Sequence, residues 1–243
     1  MMRFLTLIAF FTILSHCGFA QHGSLLASYS ESIKTVQGVG VGAEVEAVLE
    51  KLRAKRTKSD HQFLRAVFSI THRQLLKQYE QYASFDEIFK SGKYDCLTAT
   101  ALYSALLQDL GYQYTTIETD FHIFILVRSV EGDVLFESTD PLDGFVNQPD
   151  QIEARIASFK ADAISPLFRE VSNTELIGLL YYNQSVKAFN NREWSRSLEL
   201  LSAAQNYYQS PRITELKTLL ANVMTEIAAL DQQSARSMLA SKP

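Results

Sequence analysis

Cys96, His122 and Asp140 are the residues of this chain whose types and spacing could do chemistry. A thiol attacks a carbonyl only as its thiolate, and an unperturbed cysteine ionises near ~8.5. Cys96 follows the loop Gly92-Lys93-Tyr94-Asp95 and opens the apolar-periodic run Leu97 to Leu107. The first turn of a helix presents unpaired N–H groups and the positive end of the peptide dipole, both of which favour a thiolate. An imidazole at His122 would take the thiol proton and deliver it to a leaving group, and a carboxylate at Asp140 would orient that imidazole. The backbone N–H of Cys96 would help hold an oxyanion. Asp95, the last polar residue before the periodic run, is the expected helix cap.

Two strands must bring the histidine and the aspartate together. Phe121 to Ser129 and Asp133 to Ser138 read as a hairpin turning at Glu131-Gly132-Asp133. If Ser129 pairs with Val134, His122 lies opposite Pro141 and Asp140 is within one residue of it, on strands ~5 Å apart. Taken singly, Cys96 reads as a small buried hydrophobe, His122 as a core histidine and Asp140 as a turn former. Their conjunction points to a catalytic or formerly catalytic triad. One Cys, one His and one Asp fall short of a closed zinc site, so no metal and no cofactor are expected.

Residues 1–20 have the pattern of an export signal, with Arg3, an apolar core from Phe4 to Leu14, and Gly18-Phe19-Ala20 before Gln21. Leu14-Ser15-His16-Cys17 also resembles the box before a lipidated cysteine. The expectation is therefore a periplasmic or secreted protein, held to a membrane only if Cys17 carries lipid. If Cys17 leaves with the signal, Cys96 is the one thiol remaining, because the chain has 2 cysteines. A net charge of −4 gives no electrostatic case for nucleic acid.

Residues 21–42 read as a flexible lead-in. Its Gly38-Val39-Gly40-Val41-Gly42 lacks the Lys-Ser/Thr ending of a phosphate loop. Helices are expected over Ala43 to Lys55, from Ser59-Asp60 to Tyr82, from a capping box at Ser84 to Lys90, and over Gln151 to Phe159. His61 and His72 read as surface or boundary residues. Gly111 ends the cysteine helix, and strands follow from Tyr112.

The run Gly92 to Gly111, His122 on a strand and Asp140-Pro141 after the next one resemble the transglutaminase-like branch of the papain-like cysteine fold, over Phe85 to Leu142. The resemblance implies an α+β domain at 43–170, with the cysteine at a helix N-terminus packed on an antiparallel sheet. It implies Cys96 as nucleophile, His122 as base and Asp140 as orienter, acting on a peptide or protein amide by hydrolysis or acyl transfer. Some members carry an upstream Trp that supports the oxyanion, whereas here Trp194 lies far downstream. Where an aromatic commonly follows the histidine by two residues, this chain has Phe124.

Tyr181 to Ala204 resembles one tetratricopeptide repeat. Trp194, Ser197 and Ala204 mark the close approach of two helices, and Leu198 and Leu201 fill the groove. Ser185 and Arg192 stand where Gly is frequent. One repeat does not make a solenoid. The helical region at 173–230 is therefore expected either to cover the first domain or to dock a protein partner, with 231–243 a polar tail. An inactive member serving as an interaction module is the alternative to a thiol enzyme.

Overall fold

In the computed structural model the described residues are 25, 28–29, 42–120, 122–161 and 167–240. The signal-like segment and Cys17 lie outside them. The chain is mixed α and β, with helices packed on an antiparallel sheet.

Helix α1 (Gly42–Arg53) sets Val45, Val48, Leu49 and Leu52 into the core. Helix α2 (Asp60–Gln74) starts from Ser59, whose hydroxyl accepts from the Gln62 N–H. Its free amides meet a second acceptor, since Glu131 takes bonds from Asp60 N–H and His61 N–H. The expected helix to Tyr82 is too long. Leu75 and Leu76 turn into the core, and β1 (Gln78–Tyr79) pairs in parallel with β2 (Lys93–Tyr94). Short α3 (Glu87–Ser91) lies between them.

Helix α4 (Cys96–Asp109) is buried on nearly all sides, from Leu97 to Leu107. A helix apolar all round belongs at the centre of a fold. Strands β3 (Tyr114–Thr119), β4 (Ile123–Val127), β5 (Val134–Phe136), β6 (Phe145–Val146) and β7 (Phe168–Val171) form one sheet in the order β6-β5-β4-β3-β7. Alternate residues of β4 serve two layers. Ile123, Ile125 and Val127 join the main core with α4, whereas Phe124 meets Ile152 of α5 (Pro149–Ala161) and the neighbouring Phe159 in a second cluster.

The β4–β5 register differs from the one the turn residues imply. Val127, not Ser129, is opposite Val134, and the ladder ends at Ile125 and Phe136. The extra residues form a wider loop, in which Glu131 is drawn to the start of α2.

The C-terminal helices are α6 (Asn173–Asn190), α7 (Trp194–Gln205) and α8 (Pro211–Ala240). Ser185 and Ser197 cross-link the first pair, each hydroxyl donating to the other's carbonyl at 2.7 and 2.8 Å. Arg192 turns the chain between them with φ 63°, where a glycine would be unstrained. Gly178 lets the Tyr208 segment rest directly on α6, since a Cβ there would meet Tyr208 Cβ at 2.4 Å. Leu176, Leu179, Leu201, Tyr208 and Leu220 join the same core as α2 and α4, so one hydrophobic interior runs through both expected domains. The expected polar tail continues α8 from Asp231 to Ala240. Leu25 and Tyr29 also belong to this core, and the Tyr29 hydroxyl lies 3.0 Å from Ser104 Oγ, so this part of the lead-in is packed. Among the described residues, no helix is long and apolar enough to cross a membrane.

Candidate active site

Asp95 caps α4 as its sequence position requires. Its backbone is extended (φ −125°), its Oδ1 accepts from Thr98 N–H at 2.8 Å, and Thr98 Oγ1 accepts from Asp95 N–H at 2.9 Å. The second carboxylate oxygen accepts from Asn183 Nδ2 of α6 at 2.6 Å. Burial raises the Asp95 pKa, against the bonds from Thr98 and Asn183.

Cys96 is half-buried at the first position of that helix. Burial pushes its thiol well above the ordinary cysteine range, and the charges of Asp95 and Glu137 push the same way. The N–H groups of Leu97 and Ile123 are directed at the sulfur and oppose this without overcoming it. The lowering expected at the helix terminus does not appear: desolvation and two carboxylates outweigh the two backbone N–H groups. The Ile123 contact also sets the sulfur beside the first residue of β4, adjacent to His122.

His122 ends a tight turn between β3 and β4. Its N–H donates to Thr119 Oγ1 at 3.1 Å, and its carbonyl accepts from Thr119 N–H at 2.8 Å. The ring rests on Phe159, with centroids 5.0 Å apart, and Nε2 is paired with Glu137 Oε2. Glu137 is almost fully buried just past the end of β5. Its other oxygen accepts from Thr139 N–H at 2.9 Å and Thr139 Oγ1 at 2.6 Å. Burial works against its charge, yet the bonds from His122 and Thr139 prevail and hold its pKa below the usual carboxylate value.

Asp140 does not reach His122. It organises the turn after β5, where Oδ1 accepts from Asp143 N–H at 2.9 Å and its carbonyl accepts from Gly144 N–H at 2.8 Å. Oδ2 faces Arg155 of α5 at 3.5 Å. Gly144 permits this turn, because a Cβ there would lie 2.1 Å from the Glu137 carbonyl and 2.3 Å from that of Asp140. The carboxylate expected beside His122 at Asp140 is instead that of Glu137. The ladder stops at Phe136, and the Asp140 N–H bonds back to the Glu137 carbonyl, so the chain turns away before Asp140.

Cys96 and His122 line one cavity of about 360 Å³. Its opposite wall is α6, through Leu179, Tyr182, Asn183 and Val186. Gln81 and Tyr82 form part of the rim. Tyr82 is held at φ 62°, a backbone state uncommon for a bulky residue, and Gln184 Nε2 grips its carbonyl at 3.2 Å. At the far end Glu118 is buried between Arg169 Nε (3.0 Å), Arg212 NH1 (3.3 Å) and the Tyr208 hydroxyl (2.8 Å). These contacts join the sheet to the start of α8.

His72, expected near the surface, is buried among Phe68, Tyr94 and Tyr103 with no hydrogen-bond partner on either ring nitrogen. Burial brings its pKa down to about 4, against the pull of Asp140 and Glu137. Among the described residues, no group of three or more His, Cys, Asp and Glu side chains is arranged to hold a metal ion.

Sequence reasoning missed Glu137, Asn183 and the Glu118–Arg212 pair. Glu137 alone had a local signal, as an acidic residue at the end of an apolar strand. The other contacts join residues 88 and 94 positions apart, which no local pattern reports. The chain matches no family model, no curated protein and no solved structure.

Proposed function

We propose that this chain is a thiol enzyme with a transglutaminase-like (papain-like cysteine) core, acting on an amide or peptide carbonyl. The observation that carries the reading is the shared cavity of Cys96 and His122, with a buried carboxylate on the far nitrogen of the histidine. Cys96 is the nucleophile, His122 the base and Glu137 the orienter. With Nε2 taken by Glu137, Nδ1 is the nitrogen left to serve the thiol.

The raised thiol pKa shapes the mechanism. Cys96 is stored as a thiol, and its proton passes to His122 as the sulfur bonds to the carbonyl carbon. Glu137 stabilises the imidazolium formed in that step. The Cys96 N–H is the backbone donor for the developing oxyanion, and the Gln81 amide at the rim is the side-chain donor nearest in kind to the missing Trp. His122 then returns the proton to the leaving amine, and water or a second amine releases the acyl group. The signal-like pattern of residues 1–20 supports an activity outside the cytoplasm, with a peptide or protein as the substrate class.

A second reading, an inactive member of the same fold serving as an interaction module through its helical hairpin, is favoured by one observation: the thiol is pushed up rather than down. Incubation with 4-nitrophenyl acetate followed by intact-mass analysis separates the two. The enzyme reading expects an acetyl group on Cys96, formed slowly in His122→Ala and absent in Cys96→Ala. An unmodified Cys96, or equal acetylation of the His122→Ala protein, favours the module.

A further inference from the structure

The face of α6 turned toward Cys96 has its own chemistry. Leu179, Tyr182, Asn183 and Val186 follow one another at helical spacing, so they share one stripe of the helix, and all four line the cavity that holds Cys96 and His122. Three of the four are apolar or aromatic. Leu97 and Ile123 continue that apolar lining on the catalytic side. Asn183 is the exception, and its amide donates to the Asp95 cap at 2.6 Å, which fixes the height of α6 above the cysteine.

The charged groups of the lining are already partnered, and Asp95 beside Cys96 is bonded to Thr98 and Asn183. Glu118 and Arg212 are paired at 3.3 Å, and Arg212 also faces Asp120 at 3.7 Å. Leu97, Ile123, Leu179 and Val186 thus leave an apolar face in the cavity, among polar groups that already have partners.

Resting on the proposed thiol chemistry, we infer that α6 is the specificity wall of the site and selects acyl groups with a large apolar side chain next to the attacked carbonyl. The helical hairpin is then part of the substrate site. Burying a leucine-sized side chain against such a wall is expected to raise kcat/KM at least about tenfold over glycine. A carboxylate in the same place loses its water without gaining a partner.

The test uses 4-nitrophenyl esters of N-acetyl-glycine, -leucine, -phenylalanine and -aspartate. Cys96 Sγ bonds to the carbonyl carbon as the ester C–O bond breaks, and 4-nitrophenolate leaves while His122 holds the thiol proton. Water then cleaves the thioester and restores the thiol. The expected order of kcat/KM is leucine and phenylalanine, then glycine, then aspartate. In Val186→Asp the leucine-to-glycine ratio should fall toward unity, and Tyr182→Ala should lower it as a second, milder probe. Acylation of Cys96 at equal rates by all four esters overturns the specificity wall and leaves the thiol chemistry standing. Absence of acyl-Cys96 with every ester overturns both.

Discussion

Asn183 Nδ2 donates to Asp95 Oδ2 at 2.6 Å, so a residue of the C-terminal helical hairpin completes the cap of the helix that begins with Cys96. The reactive position is thereby fastened to a segment that starts far downstream. Removing the amide in Asn183→Ala leaves one oxygen of a buried carboxylate unpaired, at a cost of about 1–3 kcal/mol. Chemical unfolding should show that loss. Asn183→Ala should also alter the pH dependence of Cys96 acylation, because Asp95 is one of the charges that raise the thiol. An unchanged acylation profile would show the contact to be purely structural.

Glu137 and Asp140 make opposite predictions for substitution. Glu137→Gln keeps the shape of the side chain and removes the charge that stabilises protonated His122. Acyl transfer from 4-nitrophenyl acetate should drop by about 10²–10⁴-fold, the range for general acid–base catalysis. Asp140→Asn retains an oxygen for the Asp143 N–H and should leave the rate within a few-fold. Comparable rates in the two variants would remove Glu137 from the orienting role.

His72 ties stability to pH. Its folded pKa of about 4 lies below the ordinary 6.5, so the unfolded chain binds the extra proton first as pH falls. Stability associated with His72 is complete above about pH 6.5 and is lost as pH falls toward 4, by roughly 3 kcal/mol if the full shift operates. Glu137, whose folded pKa is lowered, contributes a loss in a lower window, as pH falls past its ordinary 4.5. Urea unfolding between pH 4 and 7 should show a flatter profile for His72→Leu than for the natural chain.

Gly178→Ala opposes propensity to packing. Alanine is preferred over glycine in a helix interior by about 1 kcal/mol. The added methyl would meet Tyr208 Cβ at 2.4 Å and its backbone N at 2.9 Å, and overpacking of that kind costs about 1–3 kcal/mol. Packing should win, with a lower Tm. The displaced Tyr208 would also release its bonds to Glu118.

Local information decided a large part of this chain. Alternation and helical spacing mark β3 to β5, α1, α4 and the α6–α7 pair, because each must present carbon to a core at a fixed period. The cap at Asp95, the cysteine directly after it and the histidine at the entry to β4 are likewise local, each set within a few residues of its neighbours. Which carboxylate meets His122 depended on where the ladder stops: pairing ends at Phe136, Glu137 at the strand's end reaches the ring, and the turn that follows carries Asp140 away. The state of the thiol and the wall opposite it depended on packing between distant segments. Desolvation is set by everything within a few ångströms, and at Cys96 those neighbours include Asp95, Ile123 and Glu137, with α6 across the cavity. Sequence therefore determined the groups and their local frames, and the tertiary structure decided their partners and their charge.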